Sequence, residues 1–148
     1  MINLDSHICI CKGCLKGSDN SVFTAKGKKT EFILKNIDRI KVDKYIVDDC
    51  LLKSRKEEEK CDYLFDLKTK KIVYLIECKG SNILKAVDQL NSSFELLKHN
   101  FLGYNFKGRI VSTKVFSPNM RSRSYSNLRS KFNGNLETKN ISCTEIIK

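Results

Sequence analysis

Two short apolar stretches in the middle of the chain predict a pair of neighbouring β-strands. Residues 60–67 and 71–80 are rich in β-branched and aromatic side chains, which favour strands. Only Lys68-Thr-Lys-Lys71 connects them, and a connection this short predicts a hairpin turn. One face of the hairpin would then be apolar and would consist of Tyr63, Phe65, Leu67, Ile72, Tyr74, Ile76 and Cys78.

The register of the hairpin follows from this apolar face. Pairing Leu67 with Ile72 places Asp62 directly opposite Glu77, because side chains alternate between the two faces of a strand. Lys79 lies on the same face as Glu77. The pattern therefore predicts a small polar patch of Asp62, Glu77 and Lys79 on the face opposite the apolar core.

Two helices are predicted from apolar residues that recur every three or four positions. The first begins at Thr30, a good N-cap, and ends near Lys41. Its buried stripe would consist of Ile33, Ile37 and Ile40. The second spans about residues 82–99. Its stripe would consist of Ile83, Val87, Leu90, Phe94 and Leu97.

Three further strands complete the predicted order of elements. Residues 44–52 precede the hairpin, residues 108–116 follow the second helix, and residues 136–147 close the chain. The order is helix, three strands, helix, strand, a basic segment and strand, which predicts an α/β fold with a central mixed sheet flanked by helices. We divide the chain into an N-terminal Cys-containing segment, residues 1–25, and a single domain, residues 26–148.

The composition favours one globular domain with a polyanionic partner. The chain has 148 residues, of which 41% are hydrophobic and only one is proline, so it is long and apolar enough for a core. Its formal net charge of +11 indicates a polyanion, most commonly nucleic acid. No apolar run approaches the roughly 20 residues of a membrane span, and no signal-peptide profile is present. We expect a cytoplasmic protein with no membrane partner.

The seven cysteines fall into two groups. The first lies in apolar strand contexts, where we expect reduced core thiols. It consists of Cys50, Cys61, Cys78 and Cys143. The second group is N-terminal and consists of His7, Cys9, Cys11 and Cys14. Its Cys11-Lys-Gly-Cys14 is half of a zinc-ribbon pattern, but the second pair is absent. We expect a reduced segment there, with a zinc site as the alternative.

The facing carboxylates of Asp62 and Glu77 indicate metal binding. Opposite positions on paired strands place Cβ atoms about 4.5–5.5 Å apart, where like charges are destabilising. A divalent cation with hard oxygen ligands would offset the repulsion, and Lys79 would stabilise charge that develops on a phosphate. The alternative is an edge-strand ion pair between Lys79 and a carboxylate. Asp66 is the alternative to Asp62 as the aspartate that binds the metal, but in this register it pairs with Val73, away from the site.

The arrangement of Asp62 followed by Glu77-Cys-Lys79 resembles the PD-(D/E)xK superfamily, the fold of many restriction endonucleases and Holliday junction resolvases. Glu-x-Lys occurs three times in the chain, but only Glu77-Cys-Lys79 ends an apolar strand with an aspartate across from it. The resemblance implies a restriction endonuclease-like core of order αβββαβ over roughly residues 30–116. It also implies Mg²⁺, with Mn²⁺ as a substitute, held by Asp62, Glu77 and the main-chain carbonyl of Cys78.

Two further residues are candidates for this site. Glu31 lies in the first turn of the first predicted helix, where the helix dipole alone would favour an anion. The resemblance to resolvase-like members implies instead that Glu31 faces the metal and helps to bind a second ion. Gln89 lies on the second predicted helix, where it either reaches the site or a phosphate or is a solvated helix residue.

The last third of the chain supplies candidate contacts to nucleic acid and to a second copy. Residues 120–132 are basic and carry two aromatic side chains, Tyr125 and Phe132, that could stack on bases. The proposed phosphate contacts are Arg121, Arg123, Arg129 and Lys131, and the alternative is a solubilising face. The aromatic stretch 101–106 is either interface material for a homodimer or cover for the end of the core.

Together these features predict a metal-dependent nuclease that hydrolyses phosphodiester bonds of nucleic acid, with a DNA endonuclease as the leading form. Its catalytic residues would be Asp62, Glu77 and Lys79, with Glu31 as an accessory. One alternative is a non-catalytic nucleic-acid-binding protein on the same fold, although such a protein gains nothing from two facing carboxylates near a polyanion. Another is a small interaction protein that binds zinc through its N-terminal cysteines.

Overall fold

Nine β-strands and three helices make up the part of the chain that the structure describes. This computed structural model describes residues 2–4 and 11–147. The strands are β1 (Leu15–Ser18), β2 (Val22–Lys26), β3 (Glu31–Asn36), β4 (Val42–Ile46), β5 (Tyr63–Leu67), β6 (Ile72–Lys79), β7 (Asn105–Ser112), β8 (Leu136–Asn140) and β9 (Ser142–Ile147). The helices are α1 (Ile83–Leu97), α2 (Ser117–Met120) and α3 (Arg123–Lys131). Shorter turns are the π-helical Val47–Leu51 and the 3-10 turns Lys68–Lys70 and Lys98–Asn100. None of the helices in the described residues is long and apolar enough to span a membrane.

Six strands form a mixed sheet in the order β1-β4-β5-β6-β7-β8, and three form a second sheet in the order β2-β3-β9. In the larger sheet, β4, β5 and β6 are antiparallel neighbours, whereas β6, β7 and β8 run parallel. Helix α1 connects β6 to β7, so the predicted strand–helix–strand crossover is present. The chain therefore has an α/β fold with a mixed sheet, which confirms the predicted class.

The β5–β6 hairpin has the predicted register. Leu67 pairs with Ile72, and Tyr63 pairs with Ile76. Beyond the last pair, the Asp62 N–H donates to the Ile76 carbonyl at 3.1 Å. Asp62 therefore lies just outside the last pair of the ladder and is bonded to the residue before Glu77, so the predicted Asp62–Glu77 pairing is not itself part of the ladder.

The larger sheet is buried on both faces. The predicted apolar face of the hairpin packs against the three-stranded sheet, where the Phe65 and Phe32 rings lie 6.2 Å apart. Most of the opposite face, for which only a small polar patch was predicted, is apolar as well. It packs beneath α1 through Leu64, Leu75 and Leu90, all of which are fully buried. The polar patch occupies only the end of this face, beyond the part that α1 covers.

The predicted first helix, from Thr30 to Lys41, is wrong. Residues Glu31–Asn36 form β3, which pairs antiparallel with β2 and parallel with β9. Phe32 and Leu34 are buried while Ile37 is 59% exposed, so burial alternates with a period of two. The partners of β3 come from distant parts of the sequence. Packing against them decides the conformation over the local apolar spacing that suggested a helix.

Two other predicted strands have different bounds. The strand predicted at residues 44–52 begins at Val42 and ends at Ile46, where the π-helical turn starts. The strand predicted at residues 136–147 is divided at Ile141, whose φ of +66° interrupts the extended backbone. Its two halves, β8 and β9, belong to different sheets.

The segment before residue 26 contributes to both sheets. Strand β1 pairs with β4, and β2 pairs with β3. Cys61 and Cys143 are buried free thiols. Cys50, however, does not lie in a core strand: it lies in the π-helical turn and is joined to Cys11 by a disulfide, with the Cα atoms 6.1 Å apart. The predictions of a reduced Cys50 and of a reduced Cys11 are therefore wrong. His7 and Cys9 lie outside the described residues.

Candidate active site

A cavity of about 800 Å³ lies at one end of the β5–β6 hairpin. Its walls come from the start of β5, the end of β6, the turn that follows β4 and the loop 26–30 between β2 and β3. These segments meet because β4, β5 and β6 are neighbours in the sheet. Asp62, Glu77 and Lys79 all line the cavity. The structure therefore brings together the three residues that the hairpin register selected.

The carboxyl groups of Asp62 and Glu77 lie against each other. The Cys78 N–H donates to Asp62 Oδ2 at 2.9 Å, and the Asp62 carboxyl also shares a hydrogen bond with the Glu77 carboxyl. Glu77 is only 2% exposed, and its Oε2 has no hydrogen-bond partner within the described part of the chain. A buried acceptor of this kind calls for an additional partner, such as water or a cation.

Burial shifts the titration of both carboxyl groups. Burial, followed by the charge of Asp62, raises the pKa of Glu77 to about 9. Burial also raises the pKa of Asp62, against the effect of its hydrogen bond from Cys78. The Lys79 ammonium acts to lower both pKa values. Without a cation the pair holds a proton at neutral pH, and a divalent cation would take the place of that proton.

Two acidic residues outside the predicted set also line the cavity. Asp48 and Asp49 lie in the π-helical turn directly after β4. The Lys60 Nζ lies 3.2 Å from Asp48 Oδ1, which holds this turn in position. The charge of Asp48 acts to raise the pKa of both Asp62 and Glu77. The sequence signal for these two residues was a pair of adjacent aspartates close to the end of a strand. It was missed because the strand was predicted to continue to residue 52, whereas β4 ends at Ile46 and a turn follows.

The loop between β2 and β3 brings positive charge to the rim of the cavity. Lys28 and Lys29 are exposed and line the cavity. Gly27 allows the close approach, because a Cβ at this position would lie 2.9 Å from Cys78 Cβ and 3.1 Å from the Cys78 carbonyl oxygen. The sequence signal for this loop is Gly27-Lys-Lys29. It lies directly before Thr30, where a helix was predicted to begin, so the sequence did not place the loop at the site.

Cys78 lies between the carboxyl pair and this loop. Its thiol faces away from the pair, on the side of the three-stranded sheet, and donates to the Ala25 carbonyl at 3.5 Å. Burial, followed by the charge of Asp62, raises the pKa of the Cys78 thiol to about 12. The thiol is therefore not a nucleophile at neutral pH. Its main-chain carbonyl, which the resemblance assigns to the metal, lies beside Gly27.

Gln89 lines the cavity from α1 and is not a solvated helix residue. It is 9% exposed, and its Nε2 donates to the Lys60 carbonyl at 3.2 Å. Its Oε1 has no hydrogen-bond partner in the part of the chain that the structure describes. One helical turn later, Ser93 Oγ accepts the Cys61 N–H at 2.8 Å. Helix α1 therefore fixes the backbone on the side from which Asp62 enters the site.

Glu31 and Asp66 lie away from this cavity. Glu31 is on β3, where it pairs with Ser142 of β9, and it does not line the cavity. The helix that would have aimed Glu31 at a metal does not exist. Asp66 lines a separate cavity of about 490 Å³. Burial, followed by the charge of Asp43, raises its pKa to about 6.

The basic segment also lies outside the cavity lining. Its four proposed phosphate contacts are all exposed, namely Arg121, Arg123, Arg129 and Lys131. Lys131 is already paired, since its Nζ lies 3.0 Å from Glu95 Oε1. Tyr125 and Phe132 are 6% and 1% exposed, so these two rings are not available for stacking on bases.

The aromatic stretch 101–106 covers the end of the core. Phe101 and Phe106 are buried, and their rings lie 6.0 Å apart in an edge-to-face arrangement. The Tyr104 ring lies 5.2 Å from that of Phe101. Of the two interpretations of this stretch, the structure supports core packing. The homodimer itself stays a prediction.

Comparison of the chain with known protein families, curated proteins and solved structures returns no match. The geometry and electrostatics of the cavity therefore carry the functional conclusion.

Proposed function

We propose that the chain is a metal-dependent nuclease of the PD-(D/E)xK kind, which hydrolyses phosphodiester bonds of nucleic acid, with DNA as the inferred substrate. The observation that carries the proposal is the pair of the half-buried Asp62 and the buried Glu77 at the ends of two antiparallel strands, with Lys79 beside it. A carboxyl pair of this kind is costly unless it has a role, because the charge of Asp62 opposes ionisation of the buried Glu77.

The arrangement of the elements around the pair supports the same proposal. Strands β4, β5 and β6, helix α1 and strand β7 follow the order βββαβ, with β7 parallel to β6. These are the last five elements of the αβββαβ core that the resemblance implies. The chain departs from that core at its first element, where β2, β3 and their loop replace the helix. This departure removes Glu31 from the proposed site.

The residues of the cavity fit a hard divalent cation such as Mg²⁺. Asp62 and Glu77 would hold it, because Glu77 Oε2 is buried without a partner within the described residues and the pair already retains a proton that a cation can replace. Mg²⁺ is commonly held by one or two carboxylates, with water and substrate phosphate as its other ligands. When bound, the ion would lower the pKa of an attacking water and neutralise charge on the scissile phosphate.

The chain's own residues have separate roles in this proposal. The Cys78 N–H and the sheet fix Asp62, and burial fixes Glu77, so the metal ligands need little reorganisation. The half-buried Lys79 ammonium stabilises negative charge that develops on the phosphate. Lys28 and Lys29 contact flanking phosphates at the rim of the cavity. Asp48 adds the negative charge of a third carboxylate near the cation.

The alternative of a non-catalytic nucleic-acid-binding protein has less support. It relied on Tyr125 and Phe132 for base stacking, and both rings are buried. It also leaves the proton-sharing carboxyl pair without a purpose beside a polyanion. The positive charge of Lys28 and Lys29 would serve either function, so binding alone does not separate the two.

A nuclease assay tests the proposal. Supercoiled plasmid, a branched junction, single-stranded DNA and RNA are each incubated with the protein in Mg²⁺, in Mn²⁺ or in EDTA. We expect cleavage in either metal and none in EDTA. Asp62→Asn, Glu77→Gln and Lys79→Met should each lower the rate by at least roughly 100-fold, since each removes a ligand or a charge that the transition state needs.

Asp66→Asn is the matched control. It removes a buried carboxylate from β5, the strand that Asp62 directly precedes, but in a different cavity, and its rate should stay within a few-fold of the parent. Cleavage that persists in EDTA, or that survives Asp62→Asn and Glu77→Gln, would rule out the proposed site. Loss of activity in Asp66→Asn with an active Asp62→Asn would move the site to the other end of β5.

A further inference from the structure

Three cysteine sulfur atoms from two distant segments meet beside the acidic turn. Cys11 and Cys14 precede β1, and Cys50 lies in the π-helical turn after β4. The three Sγ atoms all lie within 4.8 Å of one another, and all three residues are half-buried. Tetrahedral zinc, with Zn–S bonds of about 2.3 Å, holds its thiolate sulfurs roughly 3.8 Å apart, so three sulfurs gathered this closely need only the Cys11–Cys50 bond to open before they can bind one ion.

The Cys11-Lys-Gly-Cys14 turn has the form of a two-ligand metal loop. The Cys14 N–H donates to the Cys11 carbonyl at 3.2 Å, which closes the turn. Gly13 has φ of +92°, a conformation that glycine adopts without strain. A Cβ on Gly13 would also lie 3.0 Å from Ile46 Cδ1, so this loop is pressed against the end of β4. Two cysteines separated by two residues are the commonest half of a structural zinc site.

The sulfurs lie near a backbone donor and several ammonium groups. The Ile46 N–H donates to Cys14 Sγ at 3.3 Å, which gives Cys14 the acceptor role of a metal-bound thiolate. Lys12, Lys53 and Lys56, opposed by one acidic residue, Asp49, line a cavity of about 540 Å³ together with Cys11 and Cys50. Nearby ammonium groups lower the cost of collecting negative charge on cysteine.

A disulfide accounts for only part of this arrangement. The Cys11–Cys50 bond uses two of the three sulfurs and leaves Cys14 as a free thiol. A metal ion uses all three, and soft thiolate ligands select zinc over the hard cations that carboxylates prefer. Three protein sulfurs leave one position of a tetrahedral ion for a further ligand.

We propose that Cys11, Cys14 and Cys50 bind one Zn²⁺ in the reduced protein. Opening the Cys11–Cys50 disulfide takes two electrons, which a dithiol reductant supplies as it is oxidised to its own disulfide. Zn²⁺ then displaces the thiol protons, which pass to solvent. Because Cys50 directly follows Asp48 and Asp49, the site ties the acidic turn of the cavity to the segment before β1. Zinc binding here does not depend on what the cavity hydrolyses.

The test is a zinc titration of the full chain after reduction with a dithiol and removal of the reductant without oxygen. A colorimetric zinc chelator competes for the metal, and mass spectrometry of the native protein counts the bound ions. We expect one zinc per chain. Cys11→Ser, Cys14→Ser and Cys50→Ser should each weaken binding at least roughly 10-fold, because removing even a residue that only supports a metal ligand has an effect of that size. Cys143→Ser is the control, because Cys143 is buried in the opposite core, and it should bind as the parent does.

Cys14→Ser decides between the two uses of the sulfurs, because it leaves the Cys11–Cys50 pair intact. A disulfide that merely links the two segments would be indifferent to this change, whereas a zinc site would lose affinity. A second measurement uses only the parent protein: bound zinc should slow alkylation of all three cysteines. Absence of zinc from the reduced parent, or full affinity in Cys14→Ser, would overturn the proposal.

Discussion

Replacing Glu77 by Gln should stabilise the protein when no divalent cation is present. Glu77 is 2% exposed, and burial with the charge of Asp62 raises its pKa to about 9 from the ordinary value of 4.5. Between these two values the folded state retains a proton that the unfolded state has lost. Stability therefore falls as the pH rises through this window, because the unfolded state binds fewer protons. Gln cannot ionise, and its amide can donate to Asp62 as the protonated carboxyl does.

The magnitude follows from the width of the window. A pH of 7 lies about 2.5 units above the pKa of Glu77 in the unfolded state and still below its pKa in the folded state. At 1.36 kcal/mol per unit, the parent has therefore lost roughly 3 kcal/mol of unfolding free energy that Glu77→Gln retains. For a domain of this size, that difference raises the melting temperature by about 6–12 °C. At pH 4.5 the two proteins should have nearly equal stability, because the folded parent is then protonated at this position and the unfolded parent is still about half protonated.

The assay is thermal and urea unfolding of the parent and Glu77→Gln at several pH values, in EDTA and in Mg²⁺. In EDTA the advantage of Glu77→Gln should grow steadily from pH 4.5 to pH 8. In saturating Mg²⁺ the parent should gain stability by mass action, whereas the variant should gain little, so the difference should shrink or reverse.

Asp66→Asn provides the comparison. The pKa of Asp66 is raised to about 6, so any gain from its removal should level off above that pH. Because Asp66 lines a different cavity, Mg²⁺ should leave the gain unchanged. Equal stability of the parent and Glu77→Gln at pH 7 in EDTA would refute the argument, and so would a difference that does not depend on pH.

Two further predictions concern the partner and the assembly. Replacing Lys28 and Lys29 by Gln should flatten the slope of log affinity for duplex DNA against log salt by about one unit for each phosphate that the variant no longer neutralises. The same measurement on Arg121, Arg123 and Arg129 tests whether the basic segment binds phosphates, and an unchanged slope would make it a solubilising face. We also predict a homodimer, which light scattering should detect as the mass of two chains at micromolar concentration. A monomer that nicks duplex DNA without linearising it would exclude the dimer and leave the proposed active site untouched.

Local features of the sequence were sufficient to predict the centre of the cavity. The connection between β5 and β6 is so short that only one register buries the apolar side chains, and that register brings Asp62 beside the Glu77 triplet. Helix α1 could equally be predicted from the sequence, because its apolar stripe continues for 15 residues and its N-cap, Asn82, accepts the Lys85 N–H. In both cases the interactions that decide the structure lie close together in the chain.

The rest of the cavity depends on contacts between distant segments. Residues 31–36 have a spacing that suits a helix, yet they form β3 because β2 and β9 offer backbone partners on both sides. The close approach of Gly27 to Cys78 and the placement of Asp48 through Lys60 have the same origin. The disulfide between Cys50 and Cys11 also joins segments that are distant in the sequence. A strand's hydrogen bonds go to other segments, so its local pattern does not identify its partners, and tertiary packing alone completes the cavity around the two carboxyl groups.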